Sequence, residues 1–409
     1  MQTVDTPALA TAFRALPATP RVVVSGNHSV PWEAVRVLDE HVQSYVLNVL
    51  NGPPGLPDRE GVVLETSFVG PGQRRRPGLS YVPSRLSLVP VLFRERLPVD
   101  AVVLHCAPPR EGYLSLGLEV NILPAALEAC RARGGLVVAV VNNRMPYTHG
   151  DALVPLEDVD LAVECDEPLP SPGAPPPLGE DAQTIGRSVA ARVPDGATLQ
   201  MGIGAVPDAA LAALTEHRGL RLWTEMFSDG VLALDAAGAL DPEHPLTTSF
   251  LFGSPELYAW VDDNPRVRMA RTEHTNDPGL IAEQRLMTSI NTALEVDLFG
   301  QANASRIGAR IHSGFGGQTD FIVGALHSPG GQAILALRSW HPRADLSTIV
   351  PLVDEPVTSF QASAIVTEQG TAPLFGSTER EQARALIEEA AHPRVRDELW
   401  EEAVALGLA

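Results

Sequence analysis

The chain has 409 residues, with 30 basic and 50 acidic side chains and a formal charge of −20. All 30 basic residues are arginine, because the sequence contains no lysine. That excludes lysine Schiff bases, the phosphate-loop lysine and the kinase strand lysine. The acidic balance argues against a nucleic-acid or anionic-membrane surface, where cations must neutralise phosphates. A local arginine or a helix N-terminus can still hold a small anion.

At 44% hydrophobic, the chain suits two cores of about 150–200 residues each. No uncharged apolar stretch approaches the ~18 residues of a membrane span. Asp5 and Pro7 stand where a signal peptide would place a basic cap and apolar run, so a cytoplasmic protein is expected. Cys106, Cys130 and Cys165 are far apart, which predicts neither a disulfide framework nor a zinc ribbon. Cys106 and Cys165 end apolar runs and are expected as core thiols.

In chain order, residues 22–25, 45–50, 62–66, 101–106, 136–141 and 161–164 read as strands. Residues 32–42 and 123–133 read as helices, with apolar side chains at three-to-four spacing. Continuous runs such as Leu-Val-Val-Ala-Val-Val (136–141) suit parallel strands covered on both faces. The proline-rich stretch 171–180 reads as a linker, giving an N-terminal α/β domain over 1–170 and a C-terminal one over 181–409. Near the end, residues 379–402 read as two amphipathic helices broken at Pro393, with a surface or dimer role.

The second half repeats the first in register. Residues 26–41, beginning at Gly26 with Val30-Pro31, lie 176 positions before residues 202–217, beginning at Gly202 with Val206-Pro207. Seven of these sixteen positions are identical without a gap, which favours a duplicated domain over chance likeness of two glycine turns. At this offset Val49 corresponds to Glu225. One copy keeps an apolar residue, whereas the other places a carboxylate at a strand end, where burial is costly unless the group is paired or used. The structural reading is a rim glutamate capping a turn or pairing with an arginine.

Two glycine turns bear on that choice. Gly202, Ile203, Gly204 and Ala205 follow a strand and open a helix, where bare amides can receive an anion or oxyanion. Ser313, Gly314, Gly316 and Gly317 form a second turn. A Gly-x-Gly with an acid some 20 positions on also outlines a dinucleotide fingerprint, but Pro207 stands at the third glycine. Glu295 and Asp297 alternate on a strand and read first as a solvated face rather than an acid pair. His149 reads as a turn residue before a general base. No Gly-x-Ser-x-Gly elbow is present.

The strings Gly-Ala-Thr-Leu-Gln-Met-Gly-Ile-Gly-Ala-Val-Pro-Asp-Ala (196–209) and Thr-Glu-Met-Phe-Ser-Asp-Gly-Val (224–231) resemble the acetyl-CoA hydrolase/CoA-transferase family, in particular its 4-hydroxybutyrate CoA-transferase-like branch. Segments 107–117, 142–151, 289–301, 313–321 and 366–370 extend the resemblance in family order over roughly residues 60–405. It implies two similar CoA-transferase-type α/β domains, each a mostly parallel sheet covered by helices. It also implies Glu225 as nucleophile, passing through an acyl-glutamyl anhydride to a glutamyl-CoA thioester. Gly202, Ile203, Gly204, Ala205, Ser313, Gly314, Gly316 and Gly317 would then bind CoA or its oxyanions.

The expected activity is CoA transfer between short-chain carboxylic acids, of the acetyl-CoA/acetate or 4-hydroxybutyrate type. Acyl-CoA hydrolysis by the same glutamate is the alternative, and a non-catalytic CoA- or dinucleotide-binding protein is a further one. Acyl-CoA and a carboxylate are substrates; no metal, permanently bound cofactor, nucleic acid or membrane is implied, and a homodimer is expected. Two departures stand out. Where a lysine-bearing loop is usual, this chain has Arg338 and Arg343, and Leu86 stands where an aromatic is common.

Overall fold

The structure, a computed structural model, describes residues 1–173 and 177–409. Residues 174–176 of the expected linker lie outside the described residues. The chain forms two compact units that are not two consecutive stretches. Met1–Gly173, Leu246–Thr275 and Ile311–Gly316 make the first, and the remaining described residues make the second.

In the first unit, valine-rich runs become parallel strands: β1 (Arg21–Val24), β2 (Tyr45–Val49), β3 (Val62–Thr66), β4 (Ala101–Arg110), β5 (Leu136–Asn142) and β6 (Leu161–Cys165). Their order across the sheet is β6-β5-β4-β1-β2-β3. Helices α1 (Trp32–His41) and α2 (Leu123–Ala132) lie where the helical spacing placed them. A core of Phe13, Val22, Leu38, Leu47, Val103 and Val138 is almost wholly withdrawn from solvent, as a sheet covered by helices requires. Cys106 is buried in that sheet, whereas Cys165 is only half-buried.

The second unit repeats the connectivity. Its parallel strands are β7 (Thr198–Met201), β8 (Arg221–Leu222), β9 (Thr288–Asn291), β10 (Gln332–Ala336) and β11 (Ala364–Val366). The order β8-β7-β9-β10-β11 matches β2-β1-β4-β5-β6. Each sheet therefore reverses winding beside its first strand, the point where doubly wound sheets open a crevice at their carboxyl edge. Helices α3 (Glu180–Ala190), α4 (Ala205–Ala213), α5 (Pro278–Ala282) and α6 (Gln318–His327) belong to this unit. At the end, a helix over Glu379–Ala385 and another over Arg396–Ala405 flank the break at Pro393.

Register refines the repeat. Val24 pairs with Val49 in the first unit, and Leu199 with Leu222 in the second. Continuing each register to the shared glycine sets Asn51 against Gly26 and Glu225 against Gly202. The gapless equation of Val49 with Glu225 is therefore corrected by two residues. The offset between paired residues is already two larger along β1 and β2 than along β7 and β8, so the extra residues lie in the connection between the paired strands.

Three adjacent strands of the first unit share one polar contact. Arg21 on β1 donates through Nε to Glu65 Oε1 at 2.9 Å and through Nη2 to Oε2 at 3.2 Å. Asn48 on β2 donates to the same Oε1 at 2.9 Å. Glu65 is 5% exposed and Arg21 18%, so removing the acid strands a guanidinium away from water. Glu65→Ala is expected to cost about 3 kcal/mol, read as a lower urea midpoint.

Candidate functional site

Glu225 sits in the corner between β8 and the short strand Met226–Phe227. The preceding residue holds that corner. Thr224 is fully buried; its Oγ1 accepts from Met201 N at 3.3 Å and lies 3.1 Å and 2.9 Å from the carbonyl oxygens of Met201 and Met226. The carboxylate and the turn starting at Gly202 thus leave neighbouring strands from one sheet edge.

Asn276 Nδ2 donates to Glu225 Oε2 at 2.9 Å. The amide is presented by a well-anchored turn, because Asp277 caps α5 by accepting from Gly279 N and from Leu280 N and Pro278 opens that helix. Gly317, the cap residue of α6, closes the other side. A Cβ there would stand 2.1 Å from Glu225 Oε2 and 2.2 Å from Asn276 Nδ2, so a side chain there would push this pair out of its present geometry. Asp320, in the first turn of α6, is buried.

These surroundings raise the Glu225 pKa from 4.5 to about 7. Burial is the main cause; the charge of Asp320 adds to it, and the Asn276 hydrogen bond opposes it. Glu225 nevertheless keeps partial solvent access. The result is a carboxylate more basic than usual, ionised at mildly alkaline pH, with Asn276 donating to one oxygen and Gly317 packed against it.

The other predicted residues divide. Gly202, Ile203, Gly204 and Ala205 form an open turn at the start of α4: Gly202 and Gly204 have nothing within 4 Å of a notional Cβ, and Gly204 sits at φ +120°. No side chain caps that helix, so its first amides face outward as an anion site requires. Gly314 and Gly316 belong to the first unit, where they bridge to Phe68 and Arg85, and Val69 N donates to the carbonyl of Ser313. Gly317, at the end of that turn, belongs to the second unit and lies against Glu225. A cavity lined by Phe299, Phe360, Leu374 and Phe375 lies in the second unit but takes in neither Glu225 nor the glycine turns.

Several residues escaped the sequence reading. Asn276 and Asp320 carry no spacing signal, although the Asn-Asp-Pro string marks a helix start. Gln200, Ser289 and Asn291 form a buried network across β7 and β9, with Ser289 Oγ donating to Gln200 Oε1 at 2.6 Å. In the first unit Glu119 accepts from Gly26 N at 3.1 Å and Asn121 Nδ2 at 2.9 Å, and burial raises its pKa to about 7. Its only trace in the sequence is a lone acid in an apolar run. Asp297 is not on a solvated face: it is buried and accepts from the backbone of Phe299 and Gln301. His149 lies in a short strand, His149–Gly150, rather than a turn, and its Nε2 is 3.0 Å from Asp263 within the first unit.

Because the folded pKa of Glu225 exceeds its unfolded value, the acid favours folding fully only while protonated in both states. Stability is lost as pH rises from about 4.5 to about 7, by at most ~3 kcal/mol and less with solvent reach. Glu225→Gln is expected to unfold at a higher temperature than wild type at pH 8 and at the same temperature at pH 4. Thermal unfolding across that range checks this.

The family models for the acetyl-CoA hydrolase/transferase N-terminal and C-terminal domains match residues 74–171 and 253–403. The chain is 41% identical over 334 residues to the 4-hydroxybutyrate coenzyme A transferase of Clostridium kluyveri, spanning 79% of this chain and 76% of that protein. It is 35% identical over 404 residues to the succinyl-CoA:acetate/propanoyl-CoA:succinate CoA transferase of Fasciola hepatica, spanning 92% and 83%. The solved 4-hydroxybutyrate CoA-transferase from Porphyromonas gingivalis superposes with a TM-score of 0.82 at 30% identity, over 99% of this chain and 98% of that one. The chain therefore belongs to the acetyl-CoA hydrolase/transferase family and is an enzyme of the CoA-transferase type.

Proposed function

We propose that the protein moves CoA between short-chain carboxylic acids through a covalent intermediate on Glu225. The observation that carries this reading is the enclosed carboxylate with its raised pKa, held by Asn276 and approached by backbone alone at Gly317. A carboxylate nucleophile splits one difficult exchange into easier steps, and a raised pKa makes it a stronger one.

In the first step a Glu225 oxygen attacks the thioester carbonyl and CoA leaves as thiolate, giving an acyl-glutamyl anhydride. The thiolate then attacks the glutamyl carbonyl. The donor carboxylate leaves, and a glutamyl-CoA thioester remains. An acceptor carboxylate reverses both steps and departs as the new acyl-CoA. The Asn276 amide, already directed at a Glu225 oxygen, supports the oxyanion that forms on the glutamyl carbon. Amides of the turn at Gly202, Ile203, Gly204 and Ala205 serve CoA.

Arg343 replaces the missing lysine in this reading: it is exposed on a hairpin tip, whereas Arg338 lies 4.0 Å from Asp181. The same reading makes the enzyme a cytoplasmic homodimer with no resident metal or cofactor. Among the described residues no helix is long and apolar enough to cross a membrane. The partial solvent access of Glu225 favours a second reading, in which water discharges the same intermediates and the net reaction is acyl-CoA hydrolysis.

Intact-protein mass spectrometry after incubation with acetyl-CoA, without and with excess acetate, separates these outcomes. Transfer predicts a covalent CoA adduct that acetate discharges. Decay at equal speed without acetate indicates hydrolysis. Glu225→Ala and Gly317→Ala are each expected to abolish the adduct; Gly317→Ala should also lower stability by about 1–3 kcal/mol, because the new methyl group crowds Glu225 and Asn276. An adduct that survives Glu225→Ala removes the nucleophile assignment.

A further inference from the structure

The second unit holds a buried polar group at a place where the first unit is apolar. Gly202 corresponds to Gly26, so Gln200 on β7 corresponds to Val24 on β1. Val24 faces Val103 across its parallel pair, whereas Gln200 faces Ser289 across the equivalent one. All four side chains are buried. A valine pair suits a covered sheet, because a buried amide must find a partner for each of its polar groups.

Those partners are present. Ser289 Oγ donates to Gln200 Oε1 at 2.6 Å, and Asn291 Nδ2 donates to the same oxygen at 3.1 Å. Asn291 Nδ2 also donates to Ser289 Oγ at 2.8 Å, and Gln200 Nε2 donates to Asn291 Oδ1 at 3.3 Å. The end of β7 is thereby tied to the end of β9. On its other side Met201 N donates to Thr224 Oγ1 at 3.3 Å, beyond the end of β8. The next residue is Gly202, which opens the turn 202–205. That turn has few contacts of its own: no side chain caps α4, and Gly202 and Gly204 have nothing within 4 Å of a notional Cβ. Its placement therefore follows the strand end. Directional hydrogen bonds fix that end where apolar contact would let it slide.

We propose that Gln200, Ser289 and Asn291 are positioning residues, which aim the backbone amides of the turn 202–205 at CoA. This rests on the CoA-transfer reading above. The first unit fastens its glycine turn directly, since Gly26 N donates to Glu119 Oε1 at 3.1 Å. A turn that must receive a ligand cannot be closed in that way. Its amides stay free, and the strand behind them carries the constraint.

Calorimetric titration of the full chain with CoA tests the assignment, because it reads affinity separately from the fraction of molecules able to bind. Gln200→Leu combined with Ser289→Ala removes both buried partners at similar volume and leaves Asn291, which is half-buried, to water. This double variant should keep a thermal midpoint near that of wild type and full stoichiometry, yet bind CoA about tenfold more weakly. Ser289→Ala alone leaves Asn291 bonded to Gln200 and should weaken binding about threefold. A network with only a structural part would lower the midpoint and the stoichiometry and leave the affinity of the folded molecules unchanged. Wild-type affinity in whichever of the two variants folds overturns this assignment alone. No binding of CoA by wild type overturns the CoA reading and this assignment with it.

Discussion

A carboxylate withdrawn from water must be neutralised, matched or used, and the corner around Glu225 is shaped by that constraint. Asn276 donates to one Glu225 oxygen. The acid at Asp320 works against ionisation, and burial works harder still. Glycine at 317 leaves the pair undisturbed, where a Cβ would crowd both partners. Each neighbour is itself fixed elsewhere: Asn276 beside a capped helix start, Thr224 bonded to two strands, Gly317 at the head of α6. The site therefore rests on backbone geometry more than on a cluster of long side chains, which limits the motion available to the carboxylate.

The two units show how one connectivity accommodates different corners. Both place the second strand on one side of the first and a later strand on the other, β4 in the first unit and β9 in the second, and both follow the first strand with a glycine turn and a helix. In the first unit the turn is drawn inward: Gly26 donates to the buried Glu119, and Asn51 stands at the register position that Glu225 occupies in the second. In the second unit the turn stays open, with Ile203 exposed and α4 uncapped. The connection between the paired strands is two residues longer in the first unit than in the second. Shared connectivity sets where a site can be, and the local corner sets whether it is open.

The resemblance to a CoA-transferase family was legible because its strings are local. Glycine turns, the Thr-Glu-Met-Phe corner and the valine-rich strands are each a few residues long and leave a readable trace. Gly317 was legible as a turn glycine, but its reason was not. What it avoids is Glu225, 92 positions away, and no pattern within the turn records that contact. Asn276 and Asp320 were missed for the same reason, and Asp297 was misread because a capping carboxylate and a solvated one alternate identically along a strand.

By itself the sequence determined the elements, their parallel arrangement and the internal repeat, because hydrophobic period, proline-started helices and glycine turns act over a few neighbouring residues. It also determined that an all-arginine, strongly acidic chain leaves most lysine chemistry aside. The tertiary structure decided which units those elements build, sending residues 246–275 and 311–316 back to the first. It decided as well which polar groups surround Glu225, because pairing a buried charge depends on distances of about 3 Å between residues far apart in the chain.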